Sequence, residues 1–359
     1  MSAVDPTPEL GTTDGERTAR PGRAGTVEGR VAGTLTLEGV RRRIGPTAIL
    51  TDVSFEVAHG ELVVLVGPSG CGKSTLLRVI AGLDPASAGR ITLAGADITA
   101  RPPERRRIGL VFQDDALLPH RRIHQNLAFG IRHLPRSARA RRVKELLDLV
   151  RLPGMGDRYP HELSGGERQR IALARALAPD PAVVLLDEPF ANLDPSLRDG
   201  VRHDLIAALR QRGATAILVT HERDEALAFG DRVAVMGGGR LHQLDRPEAV
   251  YDRPADRFVA GFVGEASFLP CPTAGDGRGA SCRHGCVLVV RPHDLSIEPG
   301  GNDLVTGRRY LGSAWRYETR RADGAIMRVD STAAPPFAVG DLCTVTVTAE
   351  RPLHHLPTV

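Results

Sequence analysis

Apolar positions along the chain follow two patterns that alternate with each other. Two runs, Leu62 to Val66 and Ala182 to Leu186, are apolar throughout and have the length of buried strands. In residues 138–151 the apolar positions recur three or four apart, which is typical of a helix with one buried face. Strands alternating with helices predict a doubly wound α/β sheet whose functional site lies at the carboxyl ends of the strands.

The same patterns predict further elements before residue 240. Helices are expected at residues 73–81, where Gly82 ends the helix, at 164–178 and at 195–212, since Gly and Pro commonly mark helix ends and starts. Short apolar segments indicate strands at residues 34–40, 53–57, 91–94, 108–112, 216–220 and 233–236.

The character of the chain changes after Val263. Residues 270–286 are rich in Gly, Pro and Cys, and strand-like segments follow at 286–290, 304–310, 325–329 and 342–347. Glycines separate these segments, which predicts a small all-β barrel of the OB type. We expect a disordered tail at residues 1–33, an α/β domain at 34–265 and a β-barrel accessory domain at 266–359.

Composition and charge narrow the class of protein. The chain is 42% apolar and 25% charged, which is ordinary for a globular protein. No run approaches the roughly 20 apolar residues that span a bilayer, and the N-terminus lacks an apolar secretion segment. The net charge is only +4 and aromatic residues make up 4%, so we do not expect a nucleic-acid partner.

A glycine-rich loop follows the strand at residues 62–66 and opens the helix at 73–81. In that context backbone N–H groups close on phosphate oxygens at a helix N-terminus. Lys73 is expected to reach the β- and γ-phosphates, and the Ser74 hydroxyl to coordinate Mg²⁺. The candidate phosphate-binding residues are Gly67, Pro68, Ser69, Gly70, Cys71, Gly72, Lys73, Ser74 and Thr75.

Polar residues at the ends of other strands are the candidates for catalysis. Asp187 and Glu188 end a buried strand; we expect Asp187 to bind Mg²⁺ and Glu188 to act as general base on a water molecule. Gln113 follows a strand and is a candidate for the metal or the water. His221 follows another strand and is a candidate to bind the γ-phosphate and orient the water.

The segment Ser164-Gly165-Gly166-Glu167 begins a helix and has two interpretations. Ser164 and Glu167 have the spacing of a capping box, which is a structural role. Alternatively, the Ser164 hydroxyl and the Gly166 N–H form an anion site at the helix N-terminus. Local sequence does not choose between them.

In their order along the chain, these motifs and the run Ala191-Asn192-Leu193-Asp194 resemble the nucleotide-binding subunits of ABC transporters over residues 35–269. The resemblance implies a P-loop NTPase domain with a helical subdomain, which hydrolyses ATP with Mg²⁺. It also implies a head-to-tail homodimer, in which the Ser164–Glu167 signature contacts the γ-phosphate held by Lys73 of the partner subunit. Asp194 would lie in the segment that crosses the dimer interface.

The C-terminal part resembles importer ATPases that carry an accessory domain called TOBE. Residues 250–269 look like the stretch leading into that domain, and residues 291–295 like its opening strand. The closest resemblance is to ferric-iron importers, with sulfate, polyamine and quaternary-amine importers as alternatives. The resemblance implies two membrane permease subunits and, indirectly, an external solute-binding protein. It places the chain on the cytoplasmic face of the cell membrane.

Two positions depart from the family's usual residues. Ile44 stands where an aromatic residue usually stacks on adenine, so we expect looser adenine selectivity. Glu167 replaces the usual Gln at the end of the signature, and its charge would weaken ATP-driven closure while leaving activity.

Other functional interpretations remain. A soluble ABC ATPase of translation or DNA maintenance is the main alternative, and the β-barrel could also sense a regulatory ligand. Of the cysteines, Cys271, Cys282 and Cys286 could bind a metal or respond to oxidation, although their spacing matches no common zinc pattern. Because no secretion signal is present, reduced thiols are the expected state.

Overall fold

The computed structural model describes residues 33–271, 286–332, 337–349 and 351–357. The disordered tail predicted at residues 1–33 lies, except for its last residue, outside the described residues. Cys282 also lies outside them. None of the described helices is long and apolar enough to cross a membrane.

The first part of the chain alternates strands and helices. Its strands are β1 (Leu35–Ile44), β2 (Thr47–Val57), β3 (Leu62–Val66), β4 (Ala88–Leu93), β5 (Ala96–Asp97), β6 (Ile108–Val111), β7 (Val183–Asp187), β8 (Thr215–Val219), β9 (Arg232–Gly237) and β10 (Arg240–Asp245). Its helices are α1 (Lys73–Ala81), α2 (Ile123–Leu127), α3 (Arg136–Leu149), α4 (Gly165–Leu177), α5 (Pro195–Arg212), α6 (Arg223–Phe229), α7 (Pro247–Asp252) and α8 (Arg257–Val263).

These strands form two sheets. A six-stranded sheet has the order β10-β9-β3-β8-β7-β6, and all its strands are parallel except β10. A separate four-stranded antiparallel sheet has the order β2-β1-β4-β5. The strand order of the parallel sheet brings the carboxyl ends of β3, β7 and β8 to one edge, where a site is expected in such folds.

Two hydrophobic cores cover the parallel sheet. One core packs α1 and the antiparallel sheet against it, and the other packs α2 to α5 and α6 to α8. Strand β3 contributes to both, because Leu62, Val64 and Val66 lie in one core while Val63 and Leu65 lie in the other. This burial on both faces is why the strand is apolar throughout.

The last part of the chain is all-β. Its strands are β11 (Ser267–Pro270), β12 (Cys286–Val290), β13 (Leu295–Tyr310), β14 (Trp315–Arg320), β15 (Ile326–Ser331), β16 (Leu342–Val347) and β17 (His354–Pro357). They form a three-stranded sheet of order β11-β12-β17 and a four-stranded sheet of order β15-β14-β13-β16. A core that includes Val290, Val305 and Tyr317 joins the two sheets.

Arg291 connects the all-β part to the preceding helices. Its side chain is 1% exposed and donates to four backbone carbonyls, those of Tyr251, Ala260, Gly264 and Glu265. The guanidinium also lies over the Tyr251 ring, 4.2 Å from the ring centre. A buried cation with this many partners orients the all-β part on α7 and α8.

Candidate functional site

The phosphate loop joins β3 to α1 and requires glycine at two positions. A Cβ atom on Gly67 would lie 2.2 Å from the Met236 carbonyl oxygen, and Gly72, with φ 103°, occupies the left-handed region. Lys73 is buried, and its ammonium group donates to the carbonyls of Gly67 at 2.8 Å and Pro68 at 3.0 Å. The loop is therefore closed around the lysine, with the helix N-terminus behind it.

Cys71 lies in this loop but faces the protein interior. Its side chain belongs to the core beneath the antiparallel sheet, and burial raises the pKa of its thiol. The thiol therefore stays protonated near neutral pH and acts as a small apolar side chain.

Ser74 and Asp187 meet at the edge of the parallel sheet. Ser74, on α1, donates its hydroxyl to Asp187 Oδ1 at 2.9 Å, and Asp187 is the last residue of β7. Burial raises the pKa of Asp187, and the Ser74 hydrogen bond and the Lys73 charge oppose that increase. A hydroxyl and a carboxylate are oxygen ligands of the kind that Mg²⁺ prefers, so the pair fits this ion.

Glu188 and His221 lie beside this pair because β7 and β8 are parallel neighbours. His221 Nδ1 is 3.3 Å from Glu188 Oε2, and half of the His221 side chain is exposed. Glu188 has φ 46°, an unusual value for a residue other than glycine, and its N–H donates to the Val219 carbonyl at 3.0 Å. Residues held in this region often belong to functional sites.

The signature segment begins α4 with a complete capping box. The Glu167 N–H donates to Ser164 Oγ at 3.3 Å, and the Ser164 N–H and hydroxyl both donate to Glu167 Oε2 at 2.8 Å. The two bonds that Ser164 donates to the Glu167 carboxylate, first the one from its N–H, lower the pKa of Glu167. A Cβ atom on Gly166 would lie 2.5 Å from Val201 Cγ2, so close packing against α5 requires a glycine here. The capping box of Ser164 and Glu167 is therefore formed. Its presence does not decide whether Ser164 and Gly166 also form an anion site.

Three further predicted residues lie at exposed positions. Ile44, the last residue of β1, is 56% exposed. Gln113 follows β6 and is exposed, and its backbone carbonyl accepts from Asn192 Nδ2 at 3.2 Å. Asp194 is the N-cap of α5, and its side chain accepts from the Ser196 N–H at 2.8 Å. The hydrogen bond from the Ser196 hydroxyl is the first cause of the lowered pKa of Asp194.

Asn192 also lies near the site, although the sequence motif that contains it predicted no role for it. Besides the Gln113 carbonyl, its amide donates to Asp114 Oδ1 at 3.3 Å. It therefore ties the segment before α5 to the segment after β6. Its place in the Ala191–Asp194 run was the available signal.

An ion-pair network behind His221 was not predicted. Arg202, on α5, donates to Glu222 at 3.1 Å and to Glu225 at 2.5 Å, and Arg198 donates to Glu222 at 2.5 Å. Glu225 is 2% exposed, and burial raises the pKa of its carboxyl group. Since Glu222 directly follows His221, this network fixes the backbone that carries the histidine.

The chain is similar to known proteins along most of its length. Residues 50–191 match the ABC transporter family model, and residues 288–353 match the TOBE domain model. A sulfate/thiosulfate import ATP-binding protein of Chromobacterium violaceum is 45% identical over 74% of this chain and 76% of its own length. An Fe(3+) ions import ATP-binding protein of Rhizobium etli is 40% identical over 83% and 91%.

A third relative, a spermidine/putrescine import ATP-binding protein of Pseudomonas aeruginosa, is 42% identical over 84% of this chain and 90% of its own length. The chain belongs to the ATP-binding subunits of ABC importers. The predicted fold class, an ABC ATPase domain followed by a small all-β TOBE domain, is confirmed, and so is the predicted ATPase class.

Membership assigns ATP binding to this importer subunit and implies a dimeric ATPase with membrane permease partners. Relatives of similar identity carry sulfate, iron and polyamine in their names, so similarity alone does not select a cargo. The individual site residues stay predictions, and the geometry above is the basis for their roles.

Proposed function

We propose that this chain is the motor subunit of a bacterial importer, acting as a head-to-tail homodimer on two permease subunits at the cytoplasmic face of the membrane. An external solute-binding protein would deliver cargo to those permeases. The proposal depends most on one observation, that Lys73, Ser74–Asp187 and Glu188–His221 gather at one edge of a parallel sheet.

Each residue at this edge has a distinct role in the proposal. Lys73 holds the β- and γ-phosphates of ATP, and Ser74 and Asp187 hold Mg²⁺, with Gln113 reaching the metal or the water. When bound, Mg²⁺ neutralises charge on the phosphate oxygens. Glu188 takes a proton from the attacking water, and His221 keeps Glu188 and the water in line with the γ-phosphate.

The signature would complete the site of the second copy. Ser164 and Gly166 lie at the N-terminus of α4, where N–H groups and the helix dipole favour an anion. In the proposed dimer they contact the γ-phosphate held by Lys73 of the partner subunit. Asp194 would lie at the interface, and the exposed Ile44 side chain would contact adenine.

A groove between α2 and α3 is the proposed docking place for the permeases. Its volume is about 720 Å³, and its lining has more cations than carboxylates: Arg121, Arg132, Arg136, Arg139 and Lys144 against Asp148 and Asp157. This charge favours a permease segment with exposed carboxylates. Closing of the dimer would move the groove and with it the permease.

We propose ferric iron as cargo, based on the resemblance of residues 262–269 to ferric-iron importers, with sulfate, polyamine and quaternary-amine importers as alternatives. Cargo selection lies in the permease and the binding protein. Identifying these partners therefore tests the cargo proposal directly.

The deciding experiment uses Glu188→Gln, which removes the proposed general base and keeps the size of the side chain. We expect hydrolysis to fall by about 10²- to 10⁴-fold, while the variant with ATP and Mg²⁺ stays bound to a permease in solubilised native membranes. The matched control, Ser164→Arg, should bind ATP as an isolated chain but fail to form the ATP-bound dimer. Recovery of only soluble proteins or RNA would contradict the importer proposal and favour a soluble ABC ATPase, and substantial residual hydrolysis would contradict the role of Glu188.

A further inference from the structure

Two cysteines and a histidine meet at one end of the three-stranded sheet. Cys271 directly follows β11, Cys286 opens β12, and His355 lies on β17. The antiparallel register pairs Pro270 with Val287 and Leu288 with His355. Because side chains alternate along a strand, this register puts all three side chains on one face of the sheet.

The spacing of their ligand atoms is that of a metal site. His355 Nδ1 lies 3.4 Å from Cys271 Sγ and 3.8 Å from Cys286 Sγ, and all three atoms lie within 4.8 Å of one another. In a tetrahedral zinc site with bonds of about 2.3 Å to sulfur and 2.0 Å to nitrogen, a sulfur and a nitrogen ligand are roughly 3.5 Å apart. The two measured distances lie on either side of that value.

We propose that, once the disulfide bond of Cys271 is reduced, Cys271, Cys286 and His355 bind Zn²⁺ or a similar thiophilic divalent cation. Thiolate and imidazole ligands select such ions over Mg²⁺ and Ca²⁺. These three are the ligands that the described part of the chain offers, and a tetrahedral ion has a fourth position. All three side chains are half-buried, so an ion can reach them from solvent. The proposed ATPase chemistry uses none of these residues.

The site depends on the oxidation state of Cys271. In the structure Cys271 is disulfide-bonded, contrary to the expectation of reduced thiols, whereas Cys286 is a free thiol. A phosphine opens the disulfide by supplying two electrons and becoming its oxide, and water supplies the oxygen and the two protons of the new thiols. Metal binding then releases a proton from each of Cys271 and Cys286. Oxidation and metal binding therefore exclude each other at Cys271.

The test uses the full chain without a polyhistidine tag, reduced by a phosphine under anaerobic conditions. Co²⁺ is the probe, because tetrahedral thiolate coordination gives it visible and near-ultraviolet absorption bands. We expect saturation at one equivalent after reduction and no such bands before it. Zn²⁺ should displace Co²⁺ and raise the melting temperature of the reduced protein.

Cys286→Ser and His355→Ala should weaken binding at least about tenfold, the lower limit for losing even an indirect contact to a metal. Cys343→Ala is the matched control: Cys343 is buried in the other sheet, and burial raises the pKa of its thiol to about 11. Far-ultraviolet circular dichroism and ATP binding identify any variant that fails to fold. The proposal is overturned if the reduced protein shows no saturable binding, or if folded Cys286→Ser binds as tightly as the original chain. Neither result would affect the proposed ATPase function.

Discussion

Replacing Arg291 with methionine tests how the TOBE domain is held on the ATPase domain. Methionine keeps the length and apolar character of the side chain but removes its charge and donors. Four carbonyls then lose their partner, those of Tyr251, Ala260, Gly264 and Glu265. The N–H of residue 291 still donates to Asp294 at 2.8 Å, so the local turn is kept.

The expected loss of stability follows from these contacts. A buried polar group that loses its partner costs about 1 to 3 kcal/mol. Three of the four carbonyls share the single Arg291 Nη1, so their losses do not add fully. Counting one such cost for each of the two donating nitrogens, Nη1 and Nη2, we expect the TOBE domain to lose about 2 to 6 kcal/mol. For a domain of this size that corresponds to a fall in melting temperature of roughly 8 °C or more.

Fluorescence can follow this change selectively, because Trp315, on β14, is the only tryptophan of the chain. Urea and thermal unfolding monitored at Trp315 should show a much earlier transition in Arg291→Met. The control is Arg309→Met, which changes an exposed arginine on β13 and should alter the stability by less than about 0.5 kcal/mol. If both variants unfold at the same urea concentration, the buried cation does not hold the two parts together and the reasoning is wrong.

Two further predictions concern the ATPase domain. Gly166→Ala would bring a Cβ atom to 2.5 Å from Val201 Cγ2, so we expect urea unfolding to show a loss of about 1 to 3 kcal/mol in stability. The control is Gly165→Ala, whose Cβ atom would have its nearest contact at 3.5 Å and which should be neutral or stabilising by up to about 1 kcal/mol. Equal effects of the two substitutions would contradict the packing argument. Burial raises the pKa of Asp187, so the folded state disfavours the charged carboxylate. The contribution of Asp187 to the free energy of unfolding is therefore present at acid pH and is lost as pH rises through the raised pKa. Asp187→Asn should therefore raise the melting temperature at pH 7 without added nucleotide or Mg²⁺, with little gain at acid pH, and should abolish hydrolysis; a lower melting temperature at pH 7 would refute this.

Much of the ATPase fold could be predicted because its signals are local. The structure begins and ends α1 and α5 at the predicted residues, since Gly82 and Gly213 follow in the left-handed region and Pro195 starts α5. Helix α3 begins at Arg136 instead of residue 138, and β1 and β2 are longer than expected. These errors lie at element ends, where polar and apolar residues no longer alternate clearly.

The all-β part was harder to predict for a physical reason. β13 runs from Leu295 to Tyr310, and β14, whose sequence Trp-Arg-Tyr-Glu-Thr-Arg alternates bulky and charged side chains, was not among the predicted strands. Pairing with strands distant in sequence, rather than local propensity, determines such strands. The role of Arg291 could not be predicted for the same reason. An arginine next to proline is expected to be exposed, and the carbonyls that bury it come from residues distant in sequence.

At the candidate site, sequence identified the residues but not their grouping. Apolar strands ending in Asp187 or preceding His221 indicated an edge of a sheet, and the strand order then made their side chains neighbours. The Arg202–Glu225 pair could not be foreseen, since charged residues on a helix usually face solvent.

The double burial of β3 has a consequence for how this protein can change over generations. Its five residues are at most 2% exposed, and consecutive side chains enter different cores, so the strand has no neutral face on which substitutions can accumulate. A half-exposed strand can accept substitutions at every second position, but in β3 every position is buried and constrained. Substitutions in the strand that carries the phosphate loop are therefore poorly tolerated, whereas the exposed end of β13 offers far more freedom.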